Sequence, residues 1–333
     1  MAILVTGGAG YIGSHTVAEL VAHGEDVVVI DNLGQGHREA VLDATFYPMD
    51  IRDEEGVTEI IRKHDVESVI HFAANSLVGE SVQNPLKYYR NNIAATEQLL
   101  SVLVSTGVKN VVFSSTAAVY GEPKQVPISE GDAKVPTSPY GETKLAIERM
   151  LAWCHQAYGL KSVSLRYFNA AGAHSTLAIG EDHHPETHLI PIVLQTALKQ
   201  RESVQVYGRD YPTEDGTCIR DYIHVMDLAS AHRLAVGRLR NGGGAEAYNL
   251  GIGLGFSVAQ VLKTARDVTG SPILTTDGPR RWGDPAVLVA SSEQAQNALG
   301  WQPRYTSLED IVASAWRWHH AHPDGFTTTS GRA

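Results

Sequence analysis

The chain has 333 residues, 43% hydrophobic and 19% charged, with 27 Lys+Arg against 37 Asp+Glu and a formal charge of -10. That length supports one large or two small domains, two cysteines rule out a disulfide-stapled mini-protein, and the negative balance argues against a nucleic-acid surface built on net positive field. No apolar run reaches the ~18 residues of a membrane span and the first residues lack a secretory pattern, so no membrane partner and a reducing, cytoplasmic setting are expected.

Read in order, short β-branched runs alternate with helical patterns. Strands are predicted at Ile3 to Val5, Val27 to Ile30, Ser68 to Phe72, Asn110 to Phe113 and Ser162 to Leu165, with a further strand ending before Asp50. Helices are predicted at Ile12 to His23, Glu54 to His64, Pro85 to Thr106 and Pro139 to Tyr158. This alternation means βαβ crossovers and a parallel sheet covered on both faces. After about Asn169 the pattern loosens into helices at Leu189 to Arg201, Val225 to Arg238, Val258 to Thr269 and Leu308 to Ala321, separated by loops rich in Gly and Pro. The expected organisation is a nucleotide-binding domain over 1–170, with 220–240 packing back on it, a smaller mixed α/β substrate region over 171–326 and a frayed tail over 327–333.

Between the first strand and the first helix stands Thr6-Gly7-Gly8-Ala9-Gly10-Tyr11-Ile12-Gly13. Glycine permits a tight turn and close approach of a pyrophosphate, and the helix N-terminus supplies free N–H groups. Asp31 closes the second strand, where a carboxylate accepts hydrogen bonds from adenosine ribose and repels a 2′-phosphate, so NAD is favoured over NADP. Together these features predict an α/β fold of the Rossmann type, a doubly wound parallel sheet. Asp50 and Ile51 after the third strand, and Phe72, Ala73 and Ala74 after the fourth, fall at the carboxyl edge that such a cofactor occupies.

Tyr140 and Lys144 stand four apart at the start of a helix flagged by Ser138-Pro139, so they share one face. Moving a phenol from about 10 to about 7 takes roughly 4 kcal/mol of preferential phenolate stabilisation, which an ammonium and an oxidised nicotinamide could supply. Ser114, Ser115 and Thr116 end the fifth strand nearby in the predicted topology.

These residues, with PLKYYRNN (85–92), FSSTAAVYG (113–121), SPYGETK (138–144), RYFNAAGAH (166–174), DYPTEDGTCIRDYIHVMDLA (210–229) and RRWGDPAVLVAS (280–291), resemble the UDP-glucose 4-epimerase family of the extended short-chain dehydrogenase/reductase superfamily over nearly the whole chain. Related 4,6-dehydratases place Asp and Glu after the active-site Thr. Ala117 and Ala118 stand there in this sequence, so elimination of water is disfavoured. The resemblance implies an isomerase using tightly bound NAD, with Tyr140 as base, Thr116 hydrogen-bonding the sugar oxygen and Lys144 on the nicotinamide ribose. It further implies cofactor contacts from Gly7, Gly10, Tyr11, Ile12, Gly13, Asp31, Asn32, Asp50, Ile51, Phe72, Ala73, Ala74, Asn91, Ser114 and Phe168. Contacts to a UDP-sugar substrate are implied for Asn169, His188, Leu189, Tyr207, Arg220, Arg281, Asp284 and Leu288. His188 stands where several relatives have Asn, Leu288 where others have Tyr or Cys, and Ser76 where some have Lys. Other UDP-sugars and a non-catalytic NAD-binding role remain open alternatives. A homodimer through Pro85 to Thr106 and Pro139 to Tyr158, a four-helix contact, is implied as well.

His174, His183, His184 and His188 cluster in sequence, but their spacing matches no structural zinc site and no cysteine is near, so a polar loop over the active site is expected and no metal. Trp316, Trp318, His319, His320 and His322 suggest a terminal helix with one apolar face. Cys154 and Cys218 are expected to be buried free thiols.

Overall fold

A computed structural model describes residues 1–281 and 284–326. The expected tail over 327–333 lies outside the described residues. Six parallel strands arise in the first half: β1 (Ala2–Thr6), β2 (Val27–Asp31), β3 (Thr45–Pro48), β4 (Val66–His71), β5 (Asn110–Thr116) and β6 (Lys161–Tyr167). The chain then leaves the sheet through β7 (Asn169–Ala171), β8 (Val204–Tyr207) and β9 (Ile219–His224), and returns with β10 (Ala245–Leu250). β11 (Gly255–Ser257), β12 (Thr275–Gly278) and β13 (Val287–Leu288) follow.

The large sheet runs β10-β6-β5-β4-β1-β2-β3, all parallel. β1 and β2 are buried along their whole length, as strands covered on both faces must be, which is why they read as continuous apolar runs. Strand order reverses between β1 and β4, so the crevice beyond their carboxyl ends is where a ligand fits. The sequence pattern did not indicate β10, because its AEAYNL stretch carries a charge and an amide; Tyr248, Asn249 and Leu250 are nevertheless buried in register beside β6.

One face of the sheet is covered by α1 (Tyr11–Ala22) and α8 (Val225–Arg240), packed on each other, and the other by α2 (Glu54–Lys63), α5 (Ala95–Thr106) and α6 (Pro139–Tyr158). The expected single helix over Pro85 to Thr106 is broken. After α3 (Val78–Gln83) come α4 (Pro85–Tyr88) and a π-helical stretch, Tyr89–Ala94, before α5. The π-turn turns Asn92 inward, where it spans the loop after β4 and the start of α6: Asn75 N–H donates to its Oδ1 at 2.9 Å, and its Nδ2 donates to Asn75 O at 3.0 Å and Thr143 Oγ1 at 3.1 Å. The C-terminal half packs α7 (Leu189–Ala197), α9 (Val258–Thr269) and α11 (Leu308–Ala321) into a second core, and α10 (Glu293–Leu299) rests on α8. α7 stops before the predicted Arg201, because Lys199 takes a left-handed conformation.

β9 is the hub of a small sheet, with β7, β11 and β13 paired to it. Asp221 on β9 is fully buried and accepts backbone hydrogen bonds from Ile252, Gly253 and Ala290 at 3.0, 3.2 and 3.2 Å. Burial pushes its pKa up to about 6 in spite of those donors. The folded chain therefore holds a proton that the unfolded chain, titrating near ~3.9, has released, and stability should fall as pH rises from about 4 to about 6. Denaturant unfolding should show Asp221→Asn, which cannot ionise, gaining on the wild type by about 2–3 kcal/mol across that window. A difference independent of pH would refute the shift.

Candidate functional site

Each glycine of the turn has a separate reason to be there. Gly7 has φ +71, and a Cβ on it would lie 2.6 Å from Ala73 N; a Cβ on Gly13 would lie 2.2 Å from Gly7 O. Gly10 has φ -78 and meets nothing closer than 3.4 Å, so nothing in the protein itself forbids a side chain there. Gly10 is also the N-cap of α1, with no side-chain cap and no acidic residue in the first turn, whereas Asp53, Ser138, Ser257 and Ser307 cap α2, α6, α9 and α11. The first N–H groups of α1 are thus left for an anion. This cradle fits a pyrophosphate.

Asp31 is buried at the β2 end and takes N–H donors from Ala9 (3.0 Å) and Leu33 (2.8 Å). Burial raises its pKa against those two donors. Its carboxylate thus fixes the glycine turn and has acceptor capacity to spare. Asn32 Nδ2 donates to Asp50 at 3.0 Å, and Asp50 is gripped by Arg52 at 2.8 and 2.7 Å. Ile51 is buried in the sheet core; Phe72, Ala73 and Ala74 lie at the β4 end, with Phe72 and Ala73 N–H groups bonded to Thr6 O. Gly36, not singled out from the sequence, packs where a Cβ would meet the Ala9 backbone at 2.8 Å.

Thr116 ends β5, and Tyr140 and Lys144 lie on the first turns of α6, held by Ser138, whose Oγ accepts from Gly141 N–H at 3.2 Å, and by Ser81, whose Oγ accepts from Tyr140 N–H at 3.2 Å. Lys144 Nζ is buried, donates to Ser114 O at 2.8 Å, and lies 4.8 Å from the Phe113 ring centre and 5.9 Å from that of Tyr140. Burial brings its pKa down to about 7, with only Glu148 opposing. Glu148 is itself committed to a buried bidentate pair with Arg166 (2.9 and 2.6 Å) and to Ser115 (2.5 Å). The chain alone does not acidify Tyr140: burial raises its pKa and a hydrogen bond to Thr116 is the only opposing influence. The expected acidification therefore needs the second cation, because one half-neutral lysine cannot supply it. Tyr167, unmarked in the sequence, hydrogen-bonds Ser114 at the same strand ends. Asn91 lies in the π-turn with its Nδ2 3.1 Å from Asn92 Oδ1, and Phe168 packs with Leu288 on a cluster that includes Tyr120 and Leu145.

On the other side stand the residues of the C-terminal half. Arg220 on β9 pairs with Asp284, Arg281 lies 4.6 Å over the Tyr207 ring, and its Nε is 3.9 Å from Asp284. Leu288 on β13 is the strand neighbour of Arg220, and Asn169 on β7 that of Tyr222. His188 precedes Leu189, the first residue of α7. Two guanidiniums, a carboxylate and an aromatic face converge, the groups that suit a nucleoside diphosphate.

The loop over 172–188 meets the glycine turn: Tyr11 OH donates to Gly172 O at 2.6 Å and the His183 ring stands edge-on to Tyr11 at 6.2 Å. Its histidines do not sit alone, since Glu181 and Glu186 fold in beside His183 and His188. Burial works against charge on His188, yet the two carboxylates outweigh it and push its pKa up to about 10. His184 is exposed and pairs with Asp182, and His174 is half-buried. Of the thiols, Cys218 is buried but Cys154 is only half-buried, because its stretch of α6 lies at the surface. In α11 the buried face carries Trp318 and His319, while His320 is exposed.

Residues 3–251 match the NAD dependent epimerase/dehydratase family. The chain belongs to that family. It is 61% identical to a UDP-glucose 4-epimerase of Halalkalibacterium halodurans over 98% of both chains. In structure it is similar to a Brucella ovis UDP-glucose 4-epimerase in complex with NAD (TM-score 0.93, 47% identical, 95% of this chain and 97% of that one). It is likewise similar to one from Bifidobacterium longum in complex with NAD+ and UDP (TM-score 0.93, 40% identical, 98% and 100%). NAD is the family's cofactor. Among the described residues no helix is long and apolar enough to cross a membrane.

Proposed function

We propose that the chain is a UDP-glucose 4-epimerase, interconverting UDP-galactose and UDP-glucose through a 4-keto sugar. The observation that carries this reading is the grouping of Thr116, Tyr140 and Lys144 at the sheet edge beside the glycine cradle, with Ala117 and Ala118 where an acid and base for elimination would be needed. NAD supplies the chemistry of accepting a hydride from C4 and returning it to the opposite face. Tyr140 takes the proton from the sugar 4-hydroxyl and gives it back, Thr116 Oγ1 orients the same oxygen, and Lys144 stays fixed on Ser114 O, its charge favouring the phenolate. Arg220 and Arg281 exchange Asp284 and the Tyr207 face for diphosphate oxygens, freeing the Asp284 carboxylate for a ribose. The nucleotide is then gripped by ions while the hexose, held by few groups, can turn over.

Purified protein given UDP-galactose should form UDP-glucose without added NAD. Absence of product would reject the reading, and a panel of N-acetylated, pentose and uronate sugars would show whether Leu288 admits them.

We further propose a homodimer. Val82, Leu86 and Trp153 are 59%, 72% and 69% exposed on α3, α4 and α6, apolar side chains on helices that a second copy would cover. Sedimentation should give twice the chain mass for the wild type and a monomer for Trp153→Glu. A monomeric wild type would refute this surface.

A further inference from the structure

Glu181, His183, Glu186 and His188 converge in the loop between β7 and α7, one ligand-type atom from each lying within 4.8 Å of all the others. His188 Nδ1 is 2.9 Å from Glu181 Oε1 and 3.0 Å from Glu186 Oε1; His183 Nδ1 is 3.3 Å from Glu181 Oε1 and 3.7 Å from Glu186 Oε2. Four ligands at about 2.0–2.1 Å in a tetrahedron stand about 3.3 Å from one another, the middle of that range. Both carboxylates are buried, at 4% and 8% exposure, and among the described residues neither pairs with a lysine or an arginine. Two such carboxylates need positive charge beside them, which protonated His183 and His188 supply and which a bound ion would supply in their place. The second observation is that the His183 Nδ1 atom is fully buried, points into the cluster and has no hydrogen-bond partner of acceptable geometry.

We propose that these four side chains bind a divalent transition-metal ion of the zinc type, which fixes the loop against the glycine turn. Two imidazoles select against Mg²⁺ and Ca²⁺, and the N₂O₂ set suits Zn²⁺. The outer shell is in place. Glu186 Oε1 accepts the Thr187 and His188 N–H groups at 2.7 Å each, which orients the carboxylate, and Trp318 Nε1 donates to Glu181 O at 3.2 Å. Ligation of His188 through Nδ1 requires the proton on Nε2, at the more exposed side of a ring 41% open to solvent, and so makes that edge a fixed donor. The ion takes no part in the redox chemistry; it positions the loop and His188.

The test uses untagged, full-length protein carrying its own NAD. Elemental analysis after desalting should find about one zinc-class ion per chain. Protein stripped with EDTA should take up one equivalent of Zn²⁺ in calorimetry and melt about 5 °C higher with excess Zn²⁺. His183→Gln and Glu186→Gln should each weaken Zn²⁺ binding at least about tenfold with NAD content unchanged. Should either variant fail to fold, Co²⁺ on the stripped wild type provides the readout, with tetrahedral visible bands expected. Failure of the wild type to bind Zn²⁺ at micromolar concentration, unaltered binding in the folded variants, or six-coordinate Co²⁺ bands would each overturn the site.

Discussion

Tyr140→Phe is expected to lower kcat by about 10³-fold while the protein keeps its fold, its NAD and its affinity for UDP. The ring stays, so the packing over Lys144 stays; only the hydroxyl that Thr116 meets is lost. Two neighbouring groups among the described residues are poor substitutes as base. Tyr167 is buried, its hydroxyl is bound to Ser114, and burial raises its pKa beyond the ordinary phenol range. His71 is buried between Thr6 and Thr96 at 2.7 and 2.9 Å, and burial, with Lys144 adding to it, holds it neutral at about 3. Steady-state assay with retained NAD counted by absorbance decides the matter, and turnover within tenfold of wild type would remove Tyr140 from the chemistry. Because the chain by itself does not acidify the phenol, spectroscopic titration should find phenolate at lower pH in the NAD-loaded enzyme than in cofactor-free protein.

Alanine at two positions of the same turn should give opposite outcomes. Gly13→Ala should cost about 3 kcal/mol or more, since its Cβ would overlap the Gly7 carbonyl at 2.2 Å and neither backbone can retreat without moving β1 from α1. Gly10→Ala should leave cofactor-free stability within about 0.5 kcal/mol, because its φ is ordinary and its Cβ would meet only Gly7 O at an ordinary contact distance of 3.4 Å, yet weaken NAD binding by tenfold or more. Chemical denaturation of cofactor-free protein and NAD titration separate the two effects. Equal loss of stability at both positions would show that the reason for glycine at Gly10 lies within the protein, not in its ligand.

What the amino-acid order determined unaided is local or periodic. Buried β-branched runs fixed most of the parallel strands, the glycine turn fixed an uncapped helix start after the first strand, and the spacing of Tyr140 and Lys144 fixed a shared helical face, since each is a property of a few neighbouring residues. Tertiary structure decided what depends on partners distant in the chain. It placed β10 beside β6, brought the π-turn's Asn92 to Thr143, tied Glu148 to Arg166 so that Lys144 is left little charge compensation, and set Glu181 and Glu186 against two histidines. Charges and unpaired polar atoms take their energies from burial and from neighbours, and neither is written in spacing alone.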